Sequence, residues 1–438
     1  MNDRGWTREP GLPEFARVVA IGLGRAILHL QTHEATPYRA AILDACLHST
    51  VYDAQAEPTR ERYLLDLIDL TGERDFYRTQ ILAALPRVQD TADAEQLFAL
   101  ARSFAARGDA EARRRLYETF AANAATERPD GAPHLVEVDG VAGLLAVAAR
   151  LPLEREDFWY ARYLTDLVAE RQGEEATAAA LTEAAANDPR IAAFAAAVEE
   201  ERARDRARAA RRRRHTATRY DHIRQLLADD PRAGSMLLRW GRTASAGDLA
   251  RAAADLLAEE DPRRLRAYLR LFCFHPFPLD HTRLLTLARD PDPLTRAPAI
   301  GALAASAHPE VRALGLELLA AGRGRGARLL VGNYRQGDYG LVERALRAWQ
   351  DRDEVHDLGL ALLDLVEAHP APEAVAPLLL LYERGPCSLC RRWGIDLLQK
   401  LGPLPGWLVA EGRHDAHPDL RAAMRRYHGV DRPHDEPG

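Results

Sequence analysis

Apolar positions recur three and four residues apart along much of the chain, the spacing of one helical face. The stretches Pro37 to Val51, Thr59 to Leu70, Asp75 to Leu85 and Ala92 to Ala106 each carry it. In the second, Tyr63, Leu64, Leu67, Ile68 and Leu70 make one apolar stripe. The breaks at Thr71-Gly72, Pro86 and Gly108-Asp109 are short, as in antiparallel helix pairs. An earlier helix is predicted over Pro13 to Leu30. Thr126 to Gly140 departs from the pattern. It is punctuated by Pro129, Gly131, Pro133 and Gly140, and its Leu135-Val136-Glu137-Val138 alternates as a short strand does. A long loop and a domain boundary are expected there.

Asn187-Asp188-Pro189 is a helix start, with an Asp able to cap and a Pro at the first helical position. No Gly or Pro follows from Arg190 to Asp230. Either one helix about 60 Å long spans this stretch, or it breaks near His215-Thr216-Ala217-Thr218, where β-branched Thr weakens helix.

The C-terminal third contains an internal repeat. Val311 to Leu319, Val355 to Leu363 and Cys390 to Leu398 superpose without gaps, at offsets of 44 and 35 residues. Gly315, Gly359 and Gly394 share one register inside a helical pattern, where Gly costs about 1 kcal/mol against Ala. A repeated cost of this kind points to close approach of a neighbouring helix.

Asp292-Pro293-Leu294-Thr295-Arg296-Ala297-Pro298-Ala299-Ile300 and Pro309-Glu310-Val311-Arg312-Ala313 resemble the helix signature of the HEAT-repeat family. There, an Asp or Pro opens the helix and a Val-Arg pair precedes a small residue and a Leu. Leu389-Cys390-Arg391-Arg392 and Asp419-Leu420-Arg421-Ala422 are similar, with Cys390 in place of Val. The resemblance covers residues 280–428 and implies an all-α fold, an α-solenoid of antiparallel, HEAT-like (armadillo-type) helix pairs with a concave face. The expected organisation is paired helices over 1–130, a middle helical region with an Arg-rich helix over 131–230, the solenoid over 231–430 and a tail over 431–438.

Composition agrees with helix. The chain has 438 residues, 47% of them hydrophobic, 28% charged and only 7% aromatic, with a net charge of −6. This excludes a disordered chain and gives no global attraction to nucleic acid or acidic lipid. Among 59 basic residues only Lys400 is a lysine, a bias expected of a GC-rich, bacterial genome. The polar opening, the shortness of the apolar runs and the four cysteines together predict a cytoplasmic protein that neither crosses a membrane nor relies on disulfides.

Three features carry candidate chemistry. Residues 202–214 hold eight Arg and one Asp, a local +7 that leaves −13 on the remainder. On a helix, Arg204, Arg208 and Arg211 or Arg212 line one face, as phosphate or acidic-partner contacts would. No aromatic interleaves the run for bases to stack on, and Glu199, Glu200 and Glu201 precede it, so pairing within the chain competes. Cys387-Ser388-Leu389-Cys390 is a CxxC at a helix start, followed by His414-Asp415-Ala416-His417. Cys387, Cys390, His414 and His417 make a possible structural zinc set, with a redox thiol pair or buried apolar thiols as alternatives. The third feature is a set of imitations. Gly22-Leu23-Gly24 lacks the third Gly of a dinucleotide loop, Gly322 to Gly326 follows a helix rather than a strand, and His275 to His281 is a proline-rigid turn.

No nucleophile elbow, zincin motif or telling carboxylate pair is present, and no catalytic residue or cofactor beyond the zinc is predicted. The expected function is a non-catalytic adaptor or scaffold binding another macromolecule, most simply a protein, on the concave face. The alternatives are a nucleic-acid-binding repeat protein using residues 202–214, or a HEAT-like enzyme of lyase or glycosylase type, which rests on fold analogy alone.

Overall fold

The computed structural model describes residues 10–124, 130–214, 219–229 and 234–427, and the side chains at 209–214, 229, 234 and 235 are outside the description. Among the described residues every regular element is helical. The first helices are α1 (Leu12–Ile21), α2 (Arg25–Leu30), α3 (Arg39–Leu47), α4 (Glu61–Thr71), α5 (Arg74–Ala84) and α6 (Thr91–Ala105). They are followed by α7 (Ala110–Ala124), α8 (Ala132–Asp139), α9 (Val141–Ala148), α10 (Phe158–Gln172), α11 (Glu174–Ala185) and α12 (Pro189–Arg214). Next come α13 (Tyr220–Asp229), α14 (Gly234–Thr243), α15 (Ala246–Ala258), α16 (Pro262–Leu269), α17 (Thr282–Leu287), α18 (Pro293–Leu303) and α19 (Pro309–Ala320). A 3-10 segment, Gly324–Asn333, leads to α20 (Asp338–Ala348), α21 (Arg352–Ala368), α22 (Val375–Arg384) and α23 (Ser388–Leu401). The last helices are α24 (Gly406–Gly412) and α25 (Pro418–Arg426).

The chain forms two compact units. One holds Met1–Arg214 together with Gly406–Arg426, the other His215–Pro405 with Tyr427–Gly438. The segment 406–426 thus belongs with the first unit rather than with a continuous 231–430 stretch, and 131–214 is part of the same unit as the N-terminal helices.

Two local expectations are corrected. The predicted helix over Pro13 to Leu30 is two helices, because Gly22 takes a left-handed turn with φ of +79° and donates its N–H to Val18 O and Val19 O. The supposed loop and strand of residues 126–140 is helix α8 from Ala132 onward, while 125–129 lie outside the described residues. Pro133 near its start is compatible with a first helical turn, and Leu135 and Val136 are buried with Ala132 on the inner face. A four-residue alternation is too short to outweigh that burial. The long helix ends at Arg214 and the next starts at Tyr220, with 215–218 outside the described residues.

In the second unit, α19 and α21 both pack on the 3-10 segment, and α21 and α22 both pack on α23. The repeated glycines mark contacts of unequal tightness. A Cβ on Gly315 would lie 3.0 Å from Leu329 Cβ and 3.1 Å from Gly326 O, and one on Gly359 would lie 2.6 Å from Leu381 Cδ1. At Gly394 the nearest atom is 3.7 Å away, ordinary van der Waals contact. Gly359→Leu is therefore expected to overpack the α21–α22 contact and cost about 1–3 kcal/mol, whereas Gly394→Ala should be close to neutral. Equal melting temperatures for the two variants would contradict the packing argument.

A second regularity is visible in the arginines of the repeat signature. Each stands three residues after the first residue of its helix: Arg296 in α18, Arg312 in α19, Arg391 in α23 and Arg421 in α25. Arg296 donates to Asp290 O at 2.7 Å and Pro291 O at 2.9 Å, and Arg421 to Asp415 O at 2.6 Å and Ala416 O at 3.0 Å. Arg312 donates to Asn333 O at 2.8 Å, and the fully buried Arg391 approaches Gly385 O at 3.5 Å. In all four the guanidinium faces main-chain carbonyls next to a helix end.

Candidate functional site

The CxxC lies where α23 begins. Cys387 is the N-cap residue, with extended backbone (φ −92°, ψ 124°), and Cys390 sits in the first turn. Both side chains are buried. Helix α21 brings His356 beside them: one ring nitrogen of His356 and the two Sγ atoms all lie within 4.8 Å of one another. The carboxylates flanking His356 are engaged elsewhere. Glu354 accepts from Gly324 N at 2.6 Å and Arg323 Nη1 at 3.1 Å, and Asp357 accepts from Arg325 Nη2 at 2.6 Å. This accounts for the Gly-Arg-Gly-Arg-Gly stretch, whose arginines anchor the 3-10 segment to α21.

His414 and His417, the other half of the zinc set expected from sequence, belong to the first unit and are not members of this cluster. His417 precedes α25, is buried, and takes a bond from its own N–H to Asp415 Oδ1 at 2.8 Å. Sequence reasoning missed His356. The signal was present in the repeat alignment, which puts His356 at the position of Arg312 and Arg391, one residue after the equivalents of Cys390.

Arg202, Arg204 and Arg208 of the Arg-rich helix α12 are each paired with carboxylates. Arg202 pairs with Glu199 at 3.0 Å and Asp166 at 3.3 Å, and Arg204 with Glu200 at 2.6 Å and Glu201 at 3.1 Å. Arg208 pairs with Glu201 and Asp205, each at 3.1 Å. The side chains of Arg211 and Arg212 lie outside the described residues. The aromatics absent from the Arg run come from α10, where the Arg204 guanidinium stands 5.3 Å from the Phe158 ring centroid.

Helix α10 also presents a surface that sequence reasoning did not single out. Trp159 is 58% exposed and Tyr163 44% exposed, large values for such side chains, and the ring of Tyr160 lies between theirs, 5.5 Å and 6.2 Å away. A groove of about 520 Å³ runs beside them, lined by Leu151, Pro152, Leu153, Glu154, Asp157, Trp159 and Tyr160. Its charged lining is acidic. Burial, and then Glu95, Tyr163 and Asp130, push the Tyr160 phenol above its ordinary range, so further carboxylates lie within electrostatic reach. The run Phe158-Trp159-Tyr160 is the signal that could have found it.

Two histidines titrate outside these sites. Burial, then His308, holds His281 below its ordinary value of 6.5, and burial, then Arg425, does the same for His414. A depressed histidine contributes stability that is present above pH 6.5 and lost as pH falls through the folded-state value. The midpoint of thermal unfolding is accordingly expected to fall on acidification below about pH 6.5, and His281→Gln to make that fall shallower. An unchanged slope in the variant would remove His281 from the account.

A scan against protein-family models, a search of curated proteins and a search of solved structures each returned no match for this chain. Among the described residues no helix is long and apolar enough to cross a membrane.

Proposed function

We propose that the protein is a non-catalytic helical-repeat scaffold that binds a basic segment of another protein in the α10 groove. The observation that carries this is Trp159, 58% exposed over a concave surface whose charged lining residues are Glu154 and Asp157. An exposed indole costs solubility unless something covers it, and a π face with nearby carboxylates favours Arg or Lys side chains. The four loop-binding arginines support the HEAT-like reading, since they give the sequence signature one shared physical task. The pairing of Arg202, Arg204 and Arg208 with carboxylates weighs against phosphate as the ligand.

Titration of the protein with a short arginine-rich peptide tests the proposal. Trp159→Ala should weaken binding by about tenfold or more, as loss of an aromatic anchor does. Glu154→Gln with Asp157→Asn should weaken it most at low salt. Equal affinity for an acidic control peptide, or retention on DNA that these changes leave untouched, would reject it.

A further inference from the structure

We propose that His356, Cys387 and Cys390 form a zinc site. The inference is independent of the scaffold reading and rests on a juxtaposition of two elements. Helix α21 carries His356 in its second turn, and the start of α23 carries both thiols. Three ligand atoms of borderline and soft character stand within 4.8 Å of one another, two of them buried and the third half-buried. Tetrahedral zinc at 2.0–2.3 Å from N and S ligands separates those ligands by about 3.3–3.8 Å. A shift of about 1 Å closes the set, which side-chain torsions supply without moving the helices.

The chemistry suits zinc on two further counts. Thiolates are the form that binds metal, and the N-terminus of a helix favours them. Two thiolates with a neutral imidazole also balance the ion's charge, leaving no net charge in a mostly buried site. The scaffold is firm: α21 packs on α23, and Leu363 of α21 approaches to 3.7 Å from where a Cβ on Gly394 would stand. Glu354 and Asp357, the carboxylates nearest His356 in sequence, are engaged by Gly324, Arg323 and Arg325, so they are not the fourth ligand. A CxxC at a helix start also suits a dithiol–disulfide pair, in which an adjacent imidazolium would stabilise the thiolate, so metal content and thiol oxidation state separate the two.

Full-length protein without a histidine tag, purified under reducing conditions and supplied with zinc, tests the site. Metal analysis is expected to find about one zinc per chain, and cobalt to give the intense charge-transfer and visible bands of a tetrahedral thiolate complex. Cys387→Ser with Cys390→Ser should abolish both. Those changes sit in a packed region, so His356→Ala provides the second arm. It should keep thiolate charge transfer while weakening zinc affinity by more than about tenfold and shifting the cobalt visible bands. His414→Gln with His417→Gln should leave metal content unchanged. Less than about a tenth of an equivalent of zinc after repletion, with no cobalt spectrum, overturns the proposal. So does a Cys387–Cys390 disulfide with no bound metal, or a wild-type cobalt spectrum and zinc affinity in His356→Ala.

Discussion

Arg312→Ala is expected to destabilise the second unit by about 3–5 kcal/mol, the cost of breaking a buried ion pair from one side. Arg312 reaches from α19 to the first residue of α20, giving Asp338 two hydrogen bonds of 2.8 Å. The side chain of Asp338 is 2% exposed and that of Arg312 13%. Hydrogen bonding to Asp338 raises the Arg312 pKa, consistent with the charged pair being the folded-state form. With alanine at 312 a carboxylate stays buried, held only in part by the Arg335 N–H at 2.8 Å. Replacing both partners, Arg312→Met with Asp338→Leu, should cost clearly less than the sum of the single changes. Chemical denaturation measures both, and a loss below about 1 kcal/mol for Arg312→Ala would mean that the pair is not what closes this turn.

The second large effect is expected at Gly24. Its backbone angles (φ −62°, ψ −15°) suit any residue, so glycine is needed there for space alone. A Cβ would stand 1.9 Å from Glu411 O and 2.8 Å from the His414 Cβ. Arg25 and Glu411 form a buried pair at 2.6 Å beside it, and Ala416 N donates to Gly22 O at 2.8 Å. A backbone carbonyl cannot swing aside as a side-chain tip does. Gly24→Val is therefore expected to cost about 3 kcal/mol or more and to release residues 406–426. Limited proteolysis should then cut at the connection before Gly406 while α3 to α12 stay protected. Wild-type protease resistance in Gly24→Val would refute the close approach.

How much of this was legible in the sequence depends on range. The helical class and most element positions follow from apolar spacing and from helix starts such as Asp188 and Asp292, whose carboxylates accept from the N–H groups of Arg190 and Leu294. Local chemistry competing with burial was harder. Pro133 and Gly131 read as loop punctuation, yet they begin α8, because burial of Leu135 and Val136 decides the outcome. Partners distant in sequence were least legible. The CxxC was visible, but its histidine came from α21, about one repeat earlier, rather than from the nearer His414 and His417. Gly22 and Gly24 resembled the start of a dinucleotide loop, whereas Gly22 turns the chain between two helices and Gly24 makes room for Glu411 near the far end of the chain.

That last arrangement bears on biosynthesis. Topologically the second unit is an insertion, because the chain leaves the first unit after Arg214 and returns to it at Gly406. On a ribosome adding about 5–20 residues per second, the 386 positions between Arg25 and Glu411 take about 20–80 s to make. For that interval Gly22, Gly24 and Arg25 stand without the strap that later contacts them, while residues 215–405 are made and can begin to fold. The first unit is thus begun first and completed last, and a transcript truncated anywhere before Gly406 leaves its docking surface open for a holding chaperone or a protease to find.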